Sequence, residues 1–348
     1  MSSFSIGVDL GGTNLRIAAY NRASGILETI LLPTRLAAGR HAVVEDICTG
    51  IRGLLERWSG EYSLTGIGIG TPGPLELPAG RLHSPPNLPG WDGFGLRNEI
   101  EACLGMPVIV ESDANVAALA ECVLGSGRSL GLDSLCMLTL GTGIGNGIIL
   151  EGKVWHGANG MAGEAGHLTI DPDGPACGCG SYGCLEAYAS ATAVRRIALE
   201  AAAAGRAPGI AALAGRNPEF TTLDLSDLAE QGDADAKRIF EDVGRALGIG
   251  IADLVNTLNL PLYVVGGGLA NAWRLFAPTL LAEVRRRSYV YRLTEPGSSV
   301  LDSGASEGTR IMAAELGADS GLLGACILPY TMSKTKQDGL EARSSRRA

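Results

Sequence analysis

No segment of this chain is apolar for long enough to cross a bilayer. Its start carries no charged leader followed by an apolar core, so no secretory signal is expected. A cytoplasmic location and no membrane partner are the expectation. In that compartment the eight cysteines stand as thiols or metal ligands and not as disulfides. Positive charge is short as well: 28 Lys and Arg against 37 Asp and Glu leave a net charge of −9. That balance argues against a nucleic-acid-binding surface. It leaves anionic substrates open, because glycine-rich backbone binds phosphate without basic side chains. Two nucleotide-binding signatures are missing. There is no G-x-x-x-x-G-K-[ST], which excludes a P-loop. Nor does the glycine run at Gly141 fit G-x-G-x-x-G, and a strand follows it where a dinucleotide fold needs a helix.

Glycine is what the chain has in abundance, with 50 residues gathered in sharp runs. Such runs mark tight turns or close approach of backbone to a ligand. The first, Gly11-Gly12-Thr13, joins two strand-like stretches, Phe4–Leu10 and Leu15–Asn21. The second, Gly141 to Gly147, interrupts the apolar stretch Leu135–Leu150 in the same way. A third, Gly266-Gly267-Gly268, ends the strand Pro261–Val265. Each alone is first of all a turn. Together they shift the reading towards phosphate or nucleotide binding.

Other strands are expected at Ile26–Leu32, Leu64–Gly70 and Val108–Glu111. Helical spacing of apolar residues predicts helices over His41–Trp58, Leu96–Leu104, Asp113–Leu124, Tyr188–Ala204, Ser226–Gln231, Asp233–Leu258 and Ala277–Arg287. Closing helix is expected over Gly308–Ala314 and Gly321–Ile327, while Ala207–Leu225 reads as loop or broken structure. This order predicts two α/β domains, each a mixed sheet flanked by helices. One domain is expected to take residues 1–118 plus about 306–330, the other 119–305. The polar tail 331–348 lacks apolar periodicity and is expected to be disordered.

Several side chains stand out for chemistry. Asp9 ends the first strand beside a glycine turn, where a carboxylate either shapes the turn or holds Mg2+ through water. Asp113 opens a helix, where aspartate is a preferred N-cap; that reading is strong and is compatible with a weak base whose pKa the helix terminus lowers. Histidine is scarce, with four in the chain, and one of them, His167, precedes Cys177, Cys179 and Cys184 in a glycine-rich stretch. A Cys3His set without carboxylate fits a closed structural zinc site; free thiols in a loop are the alternative. Cys48, Cys103, Cys122, Cys136 and Cys326 lie in apolar periodic segments and read as core thiols. His41, His83 and His156 show no partner pattern.

Four stretches resemble the ROK family of repressors and sugar kinases, within the actin-like ATPase (ribonuclease H-like) superfamily. They are Asp9-Leu10-Gly11-Gly12-Thr13-Asn14, the segment Gly66–Trp91 with Pro86-Asn87-Leu88, the run Leu140–Gly147, and Gly163-Glu164-Ala165-Gly166-His167 with Cys177 to Glu186. The resemblance runs from about Ile6 to Leu328. It implies two actin-like domains with an active-site cleft between them and an ATP-dependent hexose kinase of the glucokinase type, acting on the 6-hydroxyl in carbohydrate metabolism and glycolysis. It implies that Gly11, Gly12 and Thr13, then Gly141, Thr142 and Gly143, cradle phosphates, with Gly266 and Gly267 against adenosine. Asp113 becomes the base, and Asn87, Asn115, Glu164, His167 and Glu186 bind sugar hydroxyls. His167 takes two roles, one ring nitrogen on a structural Zn2+ and the other towards the sugar, while Mg2+ accompanies ATP. A homodimer is implied too. The repressors of the family carry an N-terminal helix-turn-helix, for which the strand beginning near Phe4 leaves no room. Open readings are a different acceptor (N-acetylglucosamine, N-acetylmannosamine, fructose or allose) and a non-catalytic sugar-sensing regulator.

Overall fold

The computed structural model describes residues 2–298 and 308–331. Twelve strands carry the architecture: β1 Ser3–Leu10, β2 Asn14–Asn21, β3 Gly25–Pro33, β4 Ser63–Thr71, β5 Leu75–Glu76, β6 Arg81–Leu82, β7 Ile109–Ser112, β8 Leu135–Leu140, β9 Ile144–Leu150, β10 Lys153–Val154, β11 Leu262–Gly266 and β12 Arg310–Ala313. Two five-stranded sheets form, with orders β3-β2-β1-β4-β7 and β10-β9-β8-β11-β12; β5 and β6 make a separate hairpin. The two orders are the same pattern repeated. In each, a glycine turn joins the central strand to an antiparallel neighbour, and parallel strands extend the other side.

The chain divides into two compact units. The first comprises Met1–Leu124, Gly147–Ala162 and Asp319–Ala348; the second comprises Gly125–Asn146 and Gly163–Ala318. The sequence-based division at 118/119 therefore lies six residues before the change at Leu124, and residues 147–162 join the first unit. Of the tail expected from 331 onward, all but Thr331 lies outside the described residues.

In the first unit β1 is buried along most of its length, as its apolar run requires. Side chains alternate across the sheet, so Val8 and Ile17, which are register partners, share one face. Helix Arg40–Trp58 packs on that face, and its Gly50 sits where a Cβ would collide with Ile17. The opposite face receives the helix spanning 320–331. A Cβ at Gly7 or Gly68 would collide with Cys326 or Ala325, so these glycines let the helix approach the sheet backbone. Ser5 completes the contact by donating its hydroxyl to the Cys326 carbonyl at 2.6 Å.

In the second unit the 25-residue helix Ala234–Leu258 starts at the cap Asp233, which accepts from the Asp235 and Ala236 amides. It crosses helix Trp273–Arg287 at Gly244 and Gly248, where a Cβ would meet the Phe276 and Leu280 carbonyls.

Three expectations change. Ala207–Leu225 is not loop: Pro208 begins a helix to Arg216, its missing N–H harmless at the first position, and a Thr221/Asp224 capping box starts Thr222–Glu230. Tyr188–Ala204 splits at Ser190, which caps Ala191–Ala203. Gly308–Ala314 is expected as helix, yet Arg310–Ala313 is strand β12, held in parallel register by Leu262–Val265. Its local sequence suits a helix, and the unsatisfied edge of β11 overrides that preference.

Candidate active site

Parallel strands in open α/β sheets end where ligands bind, because loops and helix starts converge there. In the first unit the register puts Asp9 of β1 opposite Gly70 of β4, and Gly70 opposite Glu111 of β7. Asp9, the Gly11–Thr13 turn and Asp113 therefore share one sheet edge. Gly11 donates its N–H to Asn14 at 2.9 Å, and Thr34 braces the turn by donating its N–H to the Thr13 carbonyl and its hydroxyl to the Gly11 carbonyl. A Cβ at Gly12 would lie 2.7 Å from the Asn87 carbonyl, so the absent side chain brings Asn87 onto the turn. Buried Leu88, Trp91 and Phe94 anchor the loop that carries Asn87. Asp9 faces its cross-strand partner Arg16, whose Nε and one terminal nitrogen donate to Oδ2 at 3.0 and 2.6 Å. Thr71, at the same edge, keeps a buried hydroxyl with no hydrogen-bond partner among the described residues.

Asp113 is the first residue of helix Asp113–Val123 rather than its cap; Ser112 takes the cap position. Its Oδ1 accepts the Ala114 N–H at 2.7 Å. On either side stand two groups with a common partner. Glu111, 4% exposed, accepts on Oε1 from the Ser112 N–H and from the Asn115 side-chain amide, both at 2.9 Å. Asn115, expected to bind a sugar hydroxyl, is 5% exposed and gives its amide nitrogen to this carboxylate. The other Glu111 oxygen meets His156 Nε2 at 2.6 Å. Sequence reasoning passed over Glu111 and His156, since 45 positions separate them and no local pattern joins them.

The hydrogen bond that His156 donates to Glu111 raises the His156 pKa above its ordinary value, against the opposing effect of burial. The pair's contribution to stability is then fully present below about pH 6.5, the unfolded value, and is lost as pH rises through the higher folded value. Urea titration of wild type and His156→Gln should show the larger difference at pH 5.5 than at pH 9. Because His156 is half-exposed, the difference should stay near 1 kcal/mol. An equal difference at both pH values would contradict the ion pair.

In the second unit Gly141 donates to the Gly143 carbonyl at 2.9 Å, closing the second turn. Thr192 donates its hydroxyl to the Thr142 carbonyl, and Ala191 its N–H to Gly141. Glu186 reaches this turn: its Oε2 accepts the Ile144 N–H at 2.8 Å, and a Cβ at Gly143 would occupy that space. Gly267, with φ of 85°, lies where a Cβ would be 2.5 Å from the Leu140 carbonyl. The end of β11 is thereby pressed against the start of the second turn, and Gly266 and Gly267 join Gly141–Gly143 at one edge.

The His167, Cys177, Cys179 and Cys184 ligand atoms all lie within 4.8 Å of one another. Bonds of about 2.3 Å to sulfur at tetrahedral angles would put two sulfurs about 3.8 Å apart. The Cys179–Cys184 sulfur separation is 3.7 Å, and His167 Nδ1 lies 3.7 Å from the Cys177 sulfur. The loop is shaped for this: Cys177 N–H donates to Ser181 and Gly180 N–H to Cys177, and a Cβ at Gly183 would collide with the Asp171 carbonyl. Buried Leu185, against Gly250, fixes the end of the loop and with it Glu186. Burial pushes the Cys184 thiol up to about 12, and a backbone hydrogen bond from Ser181 holds Cys179 below its ordinary value. The other ring nitrogen of His167 lies 3.9 Å from a Glu164 oxygen. Burial raises the Glu164 carboxyl above its ordinary pKa; His167 opposes the shift and Glu186 adds to it. Glu164, His167 and Glu186 thus form one polar group beside the cysteines.

Duplicated mixed sheets with a glycine hairpin at each active edge place the chain among proteins of the actin-like ATPase fold, here of the sugar-kinase kind. The ROK family model matches residues 5–331, and the chain belongs to the ROK family. It is 35% identical over 341 residues to a glucokinase of Halalkalibacterium halodurans, covering 97% of this chain and 98% of that protein. Among solved structures it is similar to a ROK hexokinase from Thermus thermophilus, with TM-score 0.76 and 36% identity over 95% of this chain and 99% of that one. A ROK family glucokinase from Streptomyces griseus, solved in complex with glucose and AMPPNP, also has TM-score 0.76, with 33% identity over 94% of this chain and 99% of that one.

Proposed function

We propose that this chain is an ATP-dependent glucose kinase that transfers the γ-phosphoryl group to the sugar 6-hydroxyl. The observation that carries the reading is a glycine turn suited to phosphate, Gly11–Thr13, on the same strand-end edge as the carboxylate of Asp113. The glucokinase of Halalkalibacterium halodurans and the glucose complex from Streptomyces griseus supply the sugar.

Phosphoryl transfer passes through a loose transition state, so positioning and electrostatics do most of the work. The backbone N–H groups of Gly11–Thr13 and of Gly141–Gly143 receive phosphate oxygens of MgATP, and Gly266 and Gly267 lie along adenosine. Asp113 accepts the proton of the attacking hydroxyl. Asp9 has one oxygen committed to Arg16 and would help hold Mg2+ through water, where the ion would neutralise phosphate charge. Asn87, Glu164, His167 and Glu186 read sugar hydroxyls, and Asn115 braces Glu111.

His167, Cys177, Cys179 and Cys184 suit a structural Zn2+, which when bound would neutralise the thiolates and fix the loop. With Nδ1 towards the cysteines, His167 keeps Nε2 as a donor on the Glu164 side. The reading includes a homodimer, a cytoplasmic location and no nucleic-acid or membrane partner. Among the described residues no single helix is long and apolar enough to cross a membrane.

A coupled ADP-release assay over glucose, N-acetylglucosamine, N-acetylmannosamine, fructose and allose tests this. Glucose should give the highest kcat/KM. A different leading sugar would reassign the acceptor, and glucose binding without ADP release would make the protein a sensor.

A further inference from the structure

The base proposed at Asp113 stands on a strand-to-helix junction of few residues, and one buried carboxylate holds that junction from both sides. Glu111 Oε1 takes the Ser112 N–H, one residue before Asp113, and the Asn115 amide, two residues after it. These two hydrogen bonds close the chain around Asp113 and set where the first helical turn begins. A carboxylate this buried needs its charge compensated and both oxygens satisfied. His156 does both, through Nε2 at 2.6 Å from Oε2. It can reach Glu111 because the hairpin of β9 and β10 delivers it: Trp155 N–H donates to the Ile148 carbonyl at 2.8 Å, and Ala162 N–H returns to the His156 carbonyl. Gly147 of β9 lies against the Ala114 carbonyl, so the hairpin packs directly on the first turn of the helix.

We propose that Glu111 and His156 form a positioning pair for the reaction, holding the Ser112–Asn115 junction so that Asp113 presents its carboxylate to the attacking hydroxyl. This rests on the reading of Asp113 as the base. Neither residue touches substrate in this account; they act through Asp113. Loss of His156 leaves Glu111 Oε2 without its hydrogen-bonding partner, and the carboxylate then draws in water or a proton and relaxes its hold on Ser112 and Asn115. A displacement of the base of about 1 Å is enough to lower the rate by as much as about 100-fold.

The test is steady-state kinetics on His156→Ala, His156→Gln, Glu111→Gln, Asp113→Asn and the double variant Asp113→Asn/His156→Ala, each with its melting temperature. His156→Ala should lower kcat by about 10- to 100-fold with KM for MgATP within about twofold. His156→Gln should recover much of the loss, because its amide can donate to Oε2. In the Asp113→Asn background His156→Ala should cost nothing further, since its effect runs through the missing base. Wild-type kcat in His156→Ala, or a loss that adds fully to that of Asp113→Asn, would overturn the pair. Should His156→Ala not fold, Glu111→Gln decides: it keeps the Oε1 acceptor but not the charge, and unchanged kcat with a lowered melting temperature would make the cluster purely structural. The parent reading fails separately, by retained kcat in Asp113→Asn. An inactive Asp113→Asn beside a fully active His156→Ala removes only the positioning pair.

Discussion

Asp113→Asn should lower kcat for glucose phosphorylation by about 10²- to 10⁴-fold, the span that removal of a general base commonly costs. Glucose affinity should change little. Asparagine keeps an oxygen for the Ala114 N–H now received by Oδ1, so the first turn of the helix stays closed. What it loses is the ability to take a proton, together with about 0.3–1 kcal/mol of favourable interaction with the helix N-terminus. The prediction is therefore a clean separation: a collapsed rate, a melting temperature within a few degrees of wild type, and near-normal glucose binding by calorimetry. An active Asp113→Asn would remove Asp113 from the chemistry and leave it as a residue of the helix start.

The second large effect is expected at the cysteine loop. Cys179 is the exposed member of the cluster while Cys184 is buried, so Cys179→Ser disturbs little packing and isolates ligation from burial. If the four side chains hold zinc, metal analysis of wild type should find one equivalent per chain, and Cys179→Ser should lose most of it. Glucose KM should then rise by about tenfold or more. His167 loses the partner that orients its ring, and the loop ending at Leu185 no longer fixes Glu186. Melting temperature should fall alongside, because binding energy at a structural metal site is folding energy. A wild-type protein free of zinc, with Cys179→Ser matching it in both KM and melting temperature, would make these residues ordinary thiols.

Much of the site lies on contiguous residues, and for that reason it could be read without coordinates. A glycine turn is a local feature, so Gly11-Gly12-Thr13 and Gly141-Thr142-Gly143 are legible as turns, and the resemblance to the ROK family supplies the phosphate-binding role proposed for them. The cysteines of a tight loop are legible in the same way: the bridges Thr169–Cys184 and Ala176–Tyr182 close a short segment whose thiols are already near one another along the chain. The alternation of strands and helices, with the same strand–turn–strand theme twice, predicts two α/β domains with mixed sheets, and the family resemblance adds the actin-like fold.

Only the tertiary structure decided the groups whose partners are distant along the chain. Nothing near Glu111 announces His156, 45 positions away, and nothing near Asn115 shows that its amide is taken by a carboxylate and withheld from solvent. Nothing near Asp9 shows that strand register sets Arg16 across from it and commits one of its carboxylate oxygens to that guanidinium. Arg310–Ala313 has residues a helix would accept, yet it is a strand because β11 offers an edge of unpaired N–H and carbonyl groups. The physical reason is common to all of these. Turn geometry and metal-ligand spacing are short-range properties carried by neighbours in sequence. Charge compensation of a buried group and pairing of a sheet edge depend on what the folded chain brings alongside, and for this protein that is where the positioning of Asp113 resides.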